Sequence, residues 1–220
     1  MNKITFFGAS KDNKNNIDYT YKHWGPFVFL TKLDDEIILE LLERGKQAKQ
    51  SHNHKLAGHI KHQYRYEKES ENWFFENVQS YFEAYRDGHC KFHGLPNLPI
   101  QLEPLNLWIN FMKPGDFNPA HYHGGSYSFV IFLTMPENLT EEQKEHEGTG
   151  APPGSLIFSY GEATRPRWVT NGMEHVPKVG DFVIFPSLLQ HWVAPFKSKG
   201  ERISISGNLN LLHNHGNTYF

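Results

Sequence analysis

The stretch Arg202-Ile-Ser-Ile-Ser-Gly-Asn-Leu-Asn-Leu211 alternates apolar and polar side chains with a period of two. On a β-strand, that period sends Ile203, Ile205, Leu209 and Leu211 to one face and Arg202, Ser204, Ser206, Asn208 and Asn210 to the other. The apolar face needs a hydrophobic layer against it. The polar face, turned into a small barrel, needs a ligand or water to satisfy it. A surface arginine on an edge strand would leave this row of hydroxyls and amides without a purpose.

Similar short runs begin at Pro99. Leu105, Leu107, Ile109 and Phe111 alternate with Asn106, Trp108 and Asn110, and further strands are expected over 126–134, 155–160, 167–170, 181–185 and 191–195. Several short strands punctuated by glycine and proline read as a sandwich or jelly roll. Upstream, Thr31 is placed to cap a helix carrying Leu33, Ile37, Ile38, Leu41 and Leu42, with Gly45 as its stop. A second helix is expected over 70–87, with the stripe Phe74, Val78, Tyr81, Phe82 and Tyr85 and an end at Gly88. Both stripes read as core packing against a sheet. Residues 137–153 are acidic, then rich in glycine and proline, and read as a mobile loop. The expected organisation is one domain: a mixed helical part over 1–98, a jelly-roll core over 99–212 and a tail over 213–220.

Composition narrows the function. Aromatic residues make up 15% of the 220-residue chain, which suits bulky strand packing. The net charge of -2 gives no electrostatic footprint for nucleic acid or an anionic membrane. The single cysteine, Cys90, allows no intrachain disulfide and fits a reducing cytoplasm. The first residues hold too short an apolar run for a signal peptide, and no run approaches the ~20 residues of a membrane span.

The chemistry is concentrated at His121-Tyr-His123, His191 and Arg202. Histidines two apart on a strand face the same way, so His121 and His123 can grip one metal ion. Pro119 stiffens the approach, and Gly124 and Gly125 leave room for a turn. His191 would close the site from a strand remote in sequence. H-x-H alone is more often a pair of ordinary hydrogen-bonded histidines. Four elements in order change the odds. Imidazoles suit Fe(II), Zn or Cu, and three facial ligands with open positions suit Fe(II) oxygen chemistry. A dicarboxylate chelating the metal at one end needs a cation at its far end. Arg202 offers a planar fork for it, with the Ser204 hydroxyl on the same strand face.

These pieces resemble the 2-oxoglutarate- and Fe(II)-dependent oxygenases, most of all the prolyl-hydroxylase-like group of bacteria and bacteriophages. The resemblance is carried by Trp108-Ile-Asn110, Gly115-Asp-Phe-Asn-Pro-Ala-His121-Tyr-His123, Ser128-Phe-Val-Ile-Phe-Leu133, Gly180-Asp-Phe-Val-Ile-Phe-Pro-Ser187, His191 and Arg202-Ile-Ser204. It implies a double-stranded β-helix, iron at His121 and His191, and the far carboxylate of 2-oxoglutarate at Arg202 and Ser204, with Asn110 a further contact. It implies a hydroxylase consuming O2 and releasing succinate and CO2, and a peptidyl side chain such as proline as substrate. Residues 137–153 and 165–175 would form the rim that selects it. The chain departs from the pattern twice. His123 stands where the superfamily carries a carboxylate, and Phe132 stands near a position where prolyl hydroxylases often place a tyrosine. Asn110, Tyr127 or Lys113 could take the place of that tyrosine. Three neutral imidazoles leave Fe(II) with its full +2 charge, so dianionic 2-oxoglutarate makes a neutral complex. Metal affinity is expected to weaken as pH falls toward ~6.5 and the histidines protonate. Two rival readings are a cupin-type three-histidine dioxygenase that uses no 2-oxoglutarate, and a non-catalytic jelly-roll binding module. Arg202 and Ser204 argue against the first, and three aligned histidines against the second.

Overall fold

A computed structural model describes residues 25–96, 101–161 and 172–212. The chain order is β1 (Phe29–Lys32), α1 (Asp35–Gln47), β2 (Gln50–Ser51), β3 (His62–Arg65), α2 (Lys68–His93), β4 (Gln101–Met112), β5 (Asn118–His121), β6 (Tyr127–Thr134), α3 (Leu139–Lys144), β7 (Leu156–Ser159), β8 (Gly172–His175), β9 (Asp181–Pro186), β10 (Gln190–Val193) and β11 (Arg202–Leu212). All strand pairs are antiparallel. They form a large sheet in the order β1-β9-β6-β11-β4-β3-β2 and a small one in the order β5-β10-β7-β8, which together make a jelly roll.

The period of two explains why both faces of the large sheet are buried. Leu107 and Ile109 of β4, Phe129 and Ile131 of β6, Phe182 and Ile184 of β9 and Ile205 of β11 pack outward against Leu41 of α1 and Phe74, Val78, Phe82 and Tyr85 of α2. The intervening residues face the small sheet. Some of them are apolar, with Met112, Val130, Phe132, Val183 and Phe185 packed against Leu156, Phe158 and Val193. Beside them, and paired with them across strands, are Asn110, Ser128, Ser204 and Asn208, all buried. Hence β11 lies at the centre of the sheet, and its polar row points between the layers as the alternation requires.

The helix boundaries differ from expectation. Thr31 is in β1, paired with Phe182, and α1 starts after Asp34, with Asp35 and Glu36 in its first turn favouring the positive end of the helix dipole. Gly45 does not stop the helix. It lies inside α1 because Ile109 and the Tyr66 hydroxyl approach so closely that a Cβ would clash. Gly88 likewise lies within α2, against the Phe27 ring. The end of α2 is Gly94, at φ +65°, and Leu95 N–H donates to Cys90 O at 2.8 Å. Within residues 137–153, α3 is anchored, while 145–150 are exposed. Leu139 is buried, and Glu142 accepts from Lys197 N at 2.9 Å and from Ser198 N at 2.8 Å. The strand expected over 167–170 lies outside the described residues.

Gly207 shows how closely the neighbouring strands β6 and β4 hem in β11. A Cβ there would run into the Phe129 ring and stand 2.7 Å from the backbone oxygen of Asn106. Gly207→Ala is therefore expected to destabilise the protein by about 1–3 kcal/mol, the usual cost of overpacking. Urea unfolding midpoints measure this; an unchanged midpoint would contradict the packing described.

Candidate metal and anion site

His121 and His191 are direct cross-strand partners in the β5–β10 pair. His123 is two residues past the end of β5, so strand alternation does not place it. Its backbone N–H donates to Ser187 O at 2.9 Å, and Ser126 N–H donates to Leu209 O at 2.8 Å, so the turn is held from both sides. Gly125, at φ +95°, allows this turn where another residue would be strained. The three rings meet with centroids 4.3–5.0 Å apart, and their donor atoms all lie within 4.8 Å of one another.

Two of the rings are already oriented as ligands. His121 Nδ1 lies 2.7 Å from Pro119 O, and His191 Nδ1 lies 2.9 Å from Leu189 O. A carbonyl can only accept, so Nδ1 carries the proton and Nε2 keeps its lone pair for a metal ion. Burial lowers the pKa of all three. His123 falls to about 3, through burial and then the nearby His191 and His121; His191 falls to about 4, through burial and His121. His121 is lowered as well, mainly by burial. The rings therefore stay neutral well below the ordinary histidine range, which moves the expected loss of metal affinity to lower pH than the sequence alone implies.

Arg202 belongs to the same cavity, which Ser204, Ser206, Asn110, Gln63 and Trp108 also line. It is 2% exposed. Its guanidinium lies over the Phe132 ring at 4.8 Å, and Nη1 donates to Met112 Sδ at 3.7 Å. Nε and Nη2 are buried without a partner among the described residues. Those two groups share one edge of the guanidinium, the edge that accepts a carboxylate in bidentate fashion. Burial pulls its pKa down to about 10, still charged at neutral pH. A buried cation with two orphaned donors costs several kcal/mol unless an anion meets it. The cavity thus joins three neutral nitrogen ligands to an anion-seeking fork, and these residues suit a metal ion chelated by a dicarboxylate.

The three residues considered in place of the missing tyrosine lie in different places. Tyr127 packs in the helix-side core against Tyr85, its ring centroid 4.5 Å away, and does not reach the cavity. Lys113 is outside it as well, 3.8 Å from Glu201. Asn110 does line it, but all its hydrogen bonds are engaged: Oδ1 accepts from Gln63 Nε2 and Trp108 Nε1, and Nδ2 faces Ser204 O and Ser206 Oγ. Asn110 therefore organises the wall rather than offering a free group. Phe132 serves by stacking under Arg202.

Other wall residues escaped the sequence reading. Leu56, Ala57 and Ile60 cover the cavity from the N-terminal part. That segment is fixed to the chain before β5 by His59 N–H to Phe117 O at 2.9 Å and by stacking of the His59 and Phe117 rings at 4.7 Å. Gln63 sits in His62-Gln-Tyr-Arg65, which has no apolar alternation to mark it as a strand.

Residues 106–208 match the family model described as "Putative 2OG-Fe(II) oxygenase". No curated protein matches the chain. Among solved structures, a viral collagen prolyl hydroxylase from Paramecium bursaria Chlorella virus-1, in complex with 2-oxoglutarate, has 15% identity and a TM-score of 0.52, covering 83% of this chain and 94% of its own. A prolyl hydroxylase from Trichoplax adhaerens, complexed with a hypoxia inducible factor peptide fragment, has 14% identity and a TM-score of 0.53, covering 84% and 83%. HygX from Streptomyces hygroscopicus, with nickel and 2-oxoglutarate bound, has 9% identity and a TM-score of 0.54, covering 88% and 84%. At these identities the structures show a shared fold. No described helix is long and apolar enough to cross a membrane.

The lowered histidine pKa values have a sign that can be checked. As pH falls below ~6.5 the unfolded chain takes up protons that the folded, metal-free protein refuses, so stability falls with pH. The urea midpoint of metal-free protein is expected to drop between pH 7 and pH 5, and His191→Gln to flatten that slope. A slope unaffected by the substitution would show that His191 is not held neutral.

Proposed function

We propose, for a chain that is a 2-oxoglutarate- and Fe(II)-dependent oxygenase over residues 106–208, that His121, His123 and His191 hold the iron and that Arg202 and Ser204 hold the far carboxylate of 2-oxoglutarate. Iron and cosubstrate together supply the oxidising power, consuming O2, releasing succinate and CO2, and delivering one oxygen atom to a substrate C–H bond. The observation that carries the assignment is the unpartnered Nε/Nη2 edge of Arg202 in the cavity of the three histidines.

The protein's residues divide the work. The carbonyls of Pro119 and Leu189 fix the ligating tautomer of His121 and His191, so no proton has to move before metal binds. Met112 and Phe132 hold the Arg202 fork in one plane, which suits a carboxylate arriving edge-on. The Asn110 hub fixes Trp108 and Gln63 around the interior. Leu56, Ala57, Ile60, Leu156 and Val193 exclude water from it. A peptide substrate, with a prolyl residue as the hydroxylated group, is the reading that the resemblance to prolyl hydroxylases supports.

Iron-dependent succinate release from 2-oxoglutarate tests the activity. Arg202→Met should raise the KM for 2-oxoglutarate at least about tenfold, since each lost charged hydrogen bond is worth more than ~1.4 kcal/mol, while iron affinity stays within about twofold. An unchanged KM would remove Arg202 from the cosubstrate site. His123→Ala should weaken iron binding at least about 100-fold, the upper end of what losing even an outer partner does. His123→Asp should restore binding in part. Unchanged iron affinity in His123→Ala would show that His123 is no ligand.

A further inference from the structure

The cavity has a second orphaned wall, opposite in character to Arg202. Gln63 is 2% exposed, and its Oε1 has no partner; Asn118, which also lines the cavity, has a buried Oδ1 without a partner, beside Gly58. The orientation of Gln63 follows from its neighbours. The Trp108 indole N–H can only donate, and it reaches Asn110 Oδ1 at 3.0 Å. Ser204 O can only accept, and it takes Asn110 Nδ2 at 3.3 Å. With the Asn110 amide fixed at both ends, Gln63 must meet Asn110 Oδ1 through its own Nε2, at 2.7 Å. What Gln63 leaves for the cavity is a carbonyl oxygen.

The Gln63 acceptor does not suit 2-oxoglutarate, which at neutral pH carries only acceptors. A buried carbonyl left unmet costs about 1–3 kcal/mol. We propose that Gln63, with the Asn118 amide beside it in the lining, forms a substrate-reading wall that selects a group bearing an N–H or O–H donor. The inference rests on the oxygenase reading above, because it assigns the Arg202 end of the cavity to the cosubstrate. The wall stands among Leu56, Ala57 and Ile60, so the group it takes is a polar donor on an otherwise apolar body, such as an amide or alcohol. In a peptide substrate a prolyl residue has no N–H of its own, and the donor comes from a flanking residue.

Two isosteric probes isolate the donor: propionamide, and butanone, which has a methyl group in place of the amide NH2. Each is titrated into Zn(II)-loaded protein, with and without 2-oxoglutarate, following the Trp108 indole 1H–15N resonance, which reports through Asn110 on Gln63. Propionamide is expected to bind about tenfold more tightly than butanone, the worth of one to two neutral hydrogen bonds. Gln63→Met should cut that preference to twofold or less, and Asn118→Leu should lower it independently. Equal binding of the probes, no saturable propionamide binding, or a preference that survives both substitutions would overturn the proposal. Failure of 2-oxoglutarate to bind the zinc-loaded protein would instead count against the oxygenase reading, since the titration without it still reads the acceptor wall.

Discussion

The constraint on which the interior depends is the buried charge of Arg202. Its guanidinium is sealed among Phe132, Met112 and the inward face of β11, with one edge lacking a partner among the described residues. An apolar residue here would avoid a cost of several kcal/mol, and an anion meeting the unpartnered edge would offset the same cost. Its placement fixes the rest. Arg202 faces inward only because Ile203 and Ile205 pack outward on the helices, so the helical layer and the anion fork are two consequences of one alternation.

The proposed metal ligands depend on a different device. His121 and His191 are brought together by strand pairing and tethered by carbonyls two residues back. His123 has left the strand, and a backbone bond to Ser187 returns its ring to the cluster. Below that turn, Ser128 Oγ donates to Asn208 Oδ1 at 2.7 Å and lies 3.0 Å from Ser187 Oγ, while Asn208 Nδ2 donates to Asn106 Oδ1 at 3.0 Å. This chain of buried hydroxyls and amides stiffens the segment that carries His123. An all-histidine site, as proposed, would keep the full charge of a divalent ion, and a dianionic cosubstrate would neutralise it.

Much of this was legible in the sequence where the signal was periodic. The inward row of β11, the strands carrying His121 and His191, and the oxygenase resemblance all followed from local pattern. The helix ends did not, because Gly45 and Gly88 are glycines for close packing against Ile109, Tyr66 and Phe27, contacts made by residues remote in sequence. Gln63 was invisible for a similar reason: its short strand has no apolar alternation, and it becomes part of the cavity only by pairing with Asn110. Phe132 was noticed for the hydroxyl it lacks, whereas its contribution is a ring face under the guanidinium.

The central claim is that one cavity holds a three-histidine metal site and a cation for the far end of a dicarboxylate. The most direct measurement is an anaerobic optical titration of the wild-type protein with Fe(II) and 2-oxoglutarate. The account predicts an absorption band that requires both components together and is not produced when succinate, which lacks the keto group, replaces 2-oxoglutarate. No band with both present, in protein shown to bind Fe(II), would contradict it.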